Sequence, residues 1–69
     1  MHLLTVLGYI SVVHRPSGSW EVRRGIYRAE SESLPRALWF VGFQTPEARA
    51  IAGRVFHTTR DAFASGSSA

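Results

Sequence analysis

Few side chains in this sequence stand at spacings that support chemistry. His57 and Asp61 fall four residues apart, so on a helix the carboxylate would sit beside the imidazole and orient it. A base of that kind needs a nucleophile or a substrate proton to act on. No motif places a serine next to the pair, and the chain has no cysteine. His2, His14 and His57 lack metal-ligand spacing, and Gly42 and Gly53 do not build a phosphate-cradling loop. The sequence therefore predicts no enzyme, no cofactor and no metal site, and His57–Asp61 reads as a pair that stabilises a helix.

The basic residues form the second chemical set. Arg15, Arg23, Arg24, Arg28, Arg36, Arg49, Arg54 and Arg60 supply every basic charge apart from histidine, with no lysine, and the formal net charge is +3. A guanidinium plane binds phosphate bidentately and stacks on bases, which is what a nucleic-acid surface uses. Arginine in place of lysine also follows from GC-rich codon usage. Arg23, Arg24 and Arg28 are the densest cluster, and Arg15 stands beside a turn. Arg49, Arg54 and Arg60 lie off the apolar stripe of the expected helix, where they serve solubility.

Positioning these groups falls to a small domain. Sixty-nine residues are near the lower limit for a core without disulfides, metal or a partner, so oligomerisation is a reasonable aid. Absence of cysteine fits a reducing compartment. The apolar start, Met1 to Val13, has no preceding Lys or Arg, no cleavage pattern after it, and falls short of the roughly 20 residues that span a bilayer. It reads as a buried strand rather than a signal or membrane segment, and the expected location is cytoplasmic or nuclear/nucleoid.

Arg15-Pro16-Ser17-Gly18-Ser19 then makes a hairpin turn. A second strand runs from Trp20 to Arg28, with a bulge near Arg24-Gly25 that turns Arg24 outward. Ala29 to Arg36 is a polar loop closed by Pro35. A third strand, Ala37 to about Phe43, is apolar at nearly every position and, like the first, is expected to be buried on both faces. Thr45 caps a helix with Pro46 at its first position and Glu47 in its first turn. Its stripe comprises Ala48, Ile51, Ala52, Val55, Phe56, Thr59, Ala62 and Phe63. The expected fold is α+β: a three-stranded antiparallel meander with one C-terminal helix on one face, residues 1–64, followed by a flexible tail, 65–69.

Two segments carry a family resemblance. Tyr9-Ile10-Ser11-Val12-Val13-His14-Arg15-Pro16-Ser17-Gly18-Ser19-Trp20 resembles the first hairpin of the plant ethylene-response-factor (APETALA-type) DNA-binding domain, which reads Tyr-Arg-Gly-Val, a basic run, a Gly turn, then Trp. Trp39-Phe40-Val41-Gly42-Phe43-Gln44-Thr45-Pro46-Glu47-Ala48 resembles that family's Trp-Leu-Gly-Thr-Phe-Asp-Thr and the acidic, alanine-rich helix after it. The arm-binding domain of tyrosine integrases has a similar plan. The resemblance covers about 55 residues and implies a sheet lying in the DNA major groove. It implies contacts from Arg15 in the first strand's basic run, Arg24 on the second strand and Trp39 on the third.

Two functions follow as expectations. One is a nucleic-acid-binding domain, for duplex DNA, in transcription regulation or a mobile element. It would use the sheet face and hairpin arginines, with Arg15, Arg23, Arg24, Arg28, Trp20 and Trp39 as contacts. The other is a protein-interaction module, inhibitor or adaptor. It would self-associate as a homodimer, or cover a partner, through an apolar sheet face bearing Tyr9, Val13, Trp39 and Val41.

Overall fold

The computed structural model describes residues 1–67, with side-chain environments for residues 1–58. The chain is α+β, with four strands and two helices where the sequence pattern suggests three and one. In order they are β1 (His2–Thr5), β2 (Gly8–His14), β3 (Trp20–Arg24), β4 (Tyr27–Ser31), α1 (Leu34–Phe40) and α2 (Thr45–Ser67). The strands form one antiparallel meander in the order β1-β2-β3-β4.

Each of the two long strands expected near the N-terminus is a hairpin. The first folds back at Val6-Leu7, pairing Thr5 with Gly8. This turn has no Pro, Asn or Asp. It is held by the Thr5 hydroxyl, which donates to the Gly8 carbonyl at 2.6 Å and accepts from the Leu7 N–H at 3.2 Å. The second folds back at Gly25-Ile26, pairing Arg24 with Tyr27. Gly25 takes φ +59 and, among the described residues, no non-glycine residue has positive φ, the pattern of a type II′ turn. A turn, not a bulge, therefore resolves the conflict in the expected Trp20–Arg28 strand.

The expected third strand does not form. Leu34, Ala37, Leu38 and Val41 repeat at i, i+3, i+4 and i+7, and all are buried, so the segment earlier assigned to a loop and a strand winds as α1 and its C-cap. Pro35 in the first turn costs nothing, because its missing N–H would have no partner there. Gly42, at φ +111, ends the helix by taking a backbone conformation closed to other residues. The N–H groups of Val41 and Phe43 donate to the Leu38 carbonyl, and that of Gly42 donates to Trp39.

α2 starts at Thr45, one residue earlier than expected, since Gln44 accepts the first bond from the Ala48 N–H. Its expected apolar stripe is buried at Ala48, Ile51, Ala52 and Val55, whereas Phe56 is exposed. Thr59, Ala62, Phe63 and Asp61, which was expected to pair with His57, lie outside the described side chains. The helix runs to Ser67, overlapping the expected tail, and residues 68–69 lie outside the described residues.

Strand alternation sends Ile10, Val12 and Val22, with Leu3 and Ala29, to the face that the helices cover. Phe43, Leu34 and Leu38 complete this core. Fully burying a side chain of this size contributes roughly 1.5–3 kcal/mol, which lets so short a chain hold a fold. Burial is one-sided: Tyr9 and Val13 of β2 are exposed on the opposite face. Two contacts close the domain. The Met1 amino group donates to the Val12 carbonyl at 2.9 Å, and Arg54 of α2 donates to the Leu4 carbonyl of β1 at 3.2 Å.

Candidate functional site

The uncovered sheet face is where the strands bring chemistry together. Alternation along β3 puts Glu21 and Arg23 on this face, and the registers Arg23↔Arg28, Glu21↔Glu30 and Ser11↔Arg23 set their neighbours across the strands. Arg15, just past β2, reaches over from the turn. Its Nη2 donates to Glu21 Oε2, Arg28 Nη2 donates to the same oxygen at 2.8 Å, and Arg23 Nε donates to Oε1 at 2.7 Å. Glu30 stands outside this centre, with Arg28 at 3.5 Å, Arg15 at 3.7 Å and the Ser19 hydroxyl donating to it at 2.9 Å.

Three arginines thus converge on one carboxylate that is only 3% exposed. A carboxylate so enclosed has to be paired to remain charged. Hydrogen bonds from Arg28 and Arg15, followed by Arg23, outweigh the opposing effect of burial and hold the Glu21 carboxyl down at about 2. In return, Glu21 pushes the Arg28 guanidinium above its ordinary value. The three arginines keep their outer edges in solvent, with side-chain exposures from 39% at Arg15 to 60% at Arg23. Tyr9, 71% exposed, stands on the same face.

The expected contact residues therefore separate into two groups. Arg15, Arg23 and Arg28 come together on the open face. Arg24 does not: it sits on the helix side, where Nη1 donates to the Val41 carbonyl at 2.5 Å and Cζ lies 5.6 Å from the Tyr27 ring centre. It braces the α1 C-cap instead of turning outward. Trp20 also lies on the helix side, stacked on His14 at 3.9 Å and edge-on to Phe56 at 5.6 Å. Trp39 belongs to α1 and not to a third strand. It is 55% exposed and packs edge-on against Phe40 at 5.3 Å. Val41, expected on an apolar sheet face, is buried in the core. Of the four residues expected on an apolar sheet face, Tyr9 and Val13 lie on the open, mixed polar face, while Trp39 belongs to α1 and Val41 to the core, so they do not form one sheet surface.

Glu21, at the centre of this cluster, is a residue that the sequence pattern did not single out. Its signal was present as an acid two residues before Arg23, but its enclosure becomes visible only once the Gly25-Ile26 turn brings Arg28 and Glu30 alongside.

Two further surfaces stand apart from this face. A groove of about 460 Å³ between α1 and α2 is lined by Arg36, Trp39, Phe40 and Arg49 among others, with none of Arg15, Arg23 or Arg28 in its wall. At the turn end of the sheet, Val6, Leu7, Ile26 and Tyr27 are exposed. Arg24, Tyr27, Phe40 and Gly42 share one shallow pocket there, tying the β3–β4 turn to the α1 C-terminus. Among the described residues no group of three or more His, Asp or Glu side chains could hold a metal ion, and no helix is long and apolar enough to cross a membrane. Comparison with family models, curated proteins and solved structures found no match to this chain.

Proposed function

We propose that this domain binds nucleic acid through its open sheet face, with Arg15, Arg23 and Arg28 on phosphates and Tyr9 stacking on a base. The observation that carries this reading is the arginine triad itself. Glu21 holds three guanidinium groups together, so little side-chain freedom remains to be lost on binding, while between 39% and 60% of each arginine side chain stays exposed for phosphate contact. Glu21 and Glu30 offset two of the three charges, so affinity is expected to be modest.

Sheet width bears on the form of nucleic acid. With strands about 4.8 Å apart, the three-stranded sheet of the ethylene-response-factor resemblance spans about 10 Å, inside a major groove about 12 Å wide; four strands span about 14 Å. A broad sheet with an exposed aromatic suits a single strand laid across it better than a duplex groove.

The test is fluorescence anisotropy with labelled single-stranded and duplex oligonucleotides across a salt series. Three phosphate contacts on a single strand give a log–log salt slope of about −2, and Arg23→Ala with Arg28→Ala should reduce its magnitude by about 1.4. Tyr9→Ala should cost about 1–3 kcal/mol of binding. An unchanged slope in the double variant would remove the sheet face as the site, and preferential duplex binding would restore the groove-insertion mode.

A second reading, a protein-interaction module, is favoured by the apolar turn end, where Ile26 is 94% exposed. It predicts that Ile26→Ser with Val6→Ser abolishes capture of a protein partner and leaves nucleic-acid binding unchanged.

A further inference from the structure

The two edges of the sheet are finished differently. β1 is four residues long, and its outward Leu4 carbonyl is taken by Arg54. Among the described residues, β4 has no such cover. The Gly25-Ile26 turn makes Arg24 and Tyr27 a hydrogen-bonded pair, so Val22–Ala29 and Trp20–Ser31 are bonded pairs as well. The β2–β3 ladder agrees: the Arg15 N–H donates to the Ser19 carbonyl, which assigns Glu21 and Arg23 to β2 and leaves Trp20, Val22 and Arg24 for β4. By this alternation the N–H and C=O groups of Arg28 and Glu30 point away from the sheet, and both residues are exposed. An open edge of this kind is a template for another strand.

We infer that β4 pairs antiparallel with β4 of a second copy, about a two-fold axis through Ala29. Charge selects both the partner and the register. Centred on Ala29, each Arg28 faces the partner copy's Glu30, and the hydrogen-bonding positions fall on those same two residues. Centring on Arg28 or Glu30 instead would set like charges opposite each other, which destabilises a strand pair. Charged residues usually guard an edge strand; here their order makes the edge self-complementary. Tyr27, 56% exposed in the single chain, comes to lie opposite Ser31 of the second copy. The two sheets join into eight strands, with both Glu21-centred arginine triads on one continuous face. The pairing does not depend on the nucleic-acid reading.

Amide hydrogen exchange on the wild-type chain, followed by NMR from micromolar to millimolar concentration with light-scattering mass on the same samples, tests this directly. Pairing slows exchange at Arg28 and Glu30 at least tenfold as the mass doubles. A monomer at millimolar concentration overturns the proposal, as does a dimer in which those amides still exchange freely, or protection that does not vary with concentration. Ala29→Cys adds a covalent readout in a chain with no native cysteine. The non-hydrogen-bonded pair places the two Cα atoms about 4.5 Å apart, within disulfide reach, so mild oxidation should yield a dimer.

Discussion

Replacing Gly42 with alanine should be among the most damaging small changes available to this chain. Two costs combine. The residue sits at φ +111, where an L side chain is strained, at a cost of about 1–3 kcal/mol. A Cβ there would also collide with Arg24 Nη1, the atom that donates to the Val41 carbonyl. Displacing that charge-assisted bond at a partly exposed site adds about 1 kcal/mol. The combined loss of about 2–4 kcal/mol is a large share of the roughly 3–10 kcal/mol expected for a domain this size. In thermal terms it lowers Tm by about 10–30 °C. Urea denaturation followed by tryptophan fluorescence measures it, and Arg24→Ala in both backgrounds completes a double-mutant cycle. With Arg24 truncated, Gly42→Ala should cost about 1 kcal/mol less, because the colliding group is gone. A Gly42→Ala variant within about 0.5 kcal/mol of wild type would refute the α1–α2 turn, since alanine in a strand at this position would be harmless. Strict additivity of the two changes would refute the Arg24 contact.

Other substitutions probe the remaining layers. Glu21 ionises at about 2 in the fold against an ordinary 4.5, so its stabilisation is intact above about pH 4.5, falls as pH drops below that, and is gone below about 2. Urea midpoints across this window should fall more steeply for wild type than for Glu21→Gln, and parallel curves would dismiss the arginine anchoring. Leu38→Ala, at a fully buried α1 position, should cost about 2–5 kcal/mol in the same denaturation assay; a loss under 1 kcal/mol would mean α1 is not packed as described. Ile26→Asn should leave stability within about 0.5 kcal/mol, because the side chain stands in solvent at the second turn position, and a larger loss would imply that Ile26 has a partner.

Legibility in the sequence tracked how local each signal was. The Arg15–Ser19 turn was readable because Pro16 and Gly18 specify it within five residues, and α2 because Pro46, Glu47 and the Ala48–Ile51–Ala52–Val55 stripe agree. Val6-Leu7 escaped notice because an apolar pair makes the turn and Thr5 and Gly8 stabilise it from either side. The α1 segment was misread for a different reason. Ala37 to Phe43 is apolar all round, so the strand reading looked sound, while the decisive i, i+3, i+4, i+7 repeat begins earlier, at Leu34. That error moved Trp39 and Val41 onto a sheet they do not belong to. At the candidate site, arginine identity was plain in the sequence, but which arginines share a face depended on a hairpin register that one turn decides. Arg24 and Arg23 are adjacent in sequence and have opposite fates, one bracing a helix cap and the other facing solvent.

The meander has a kinetic consequence. Since spatial order follows chain order, each strand pair closes a loop of only two to five residues, and such hairpins form in about 1–10 μs. The bond from Arg54 to Leu4 spans fifty residues and can form only when the helix after the turn settles on the first strand. Helix docking is therefore the entropically expensive step, and the sheet should assemble ahead of it. A ribosome releasing this chain from its N-terminus would expose the sheet, its apolar face bare, until the second half, which carries both helices, emerges to cover it.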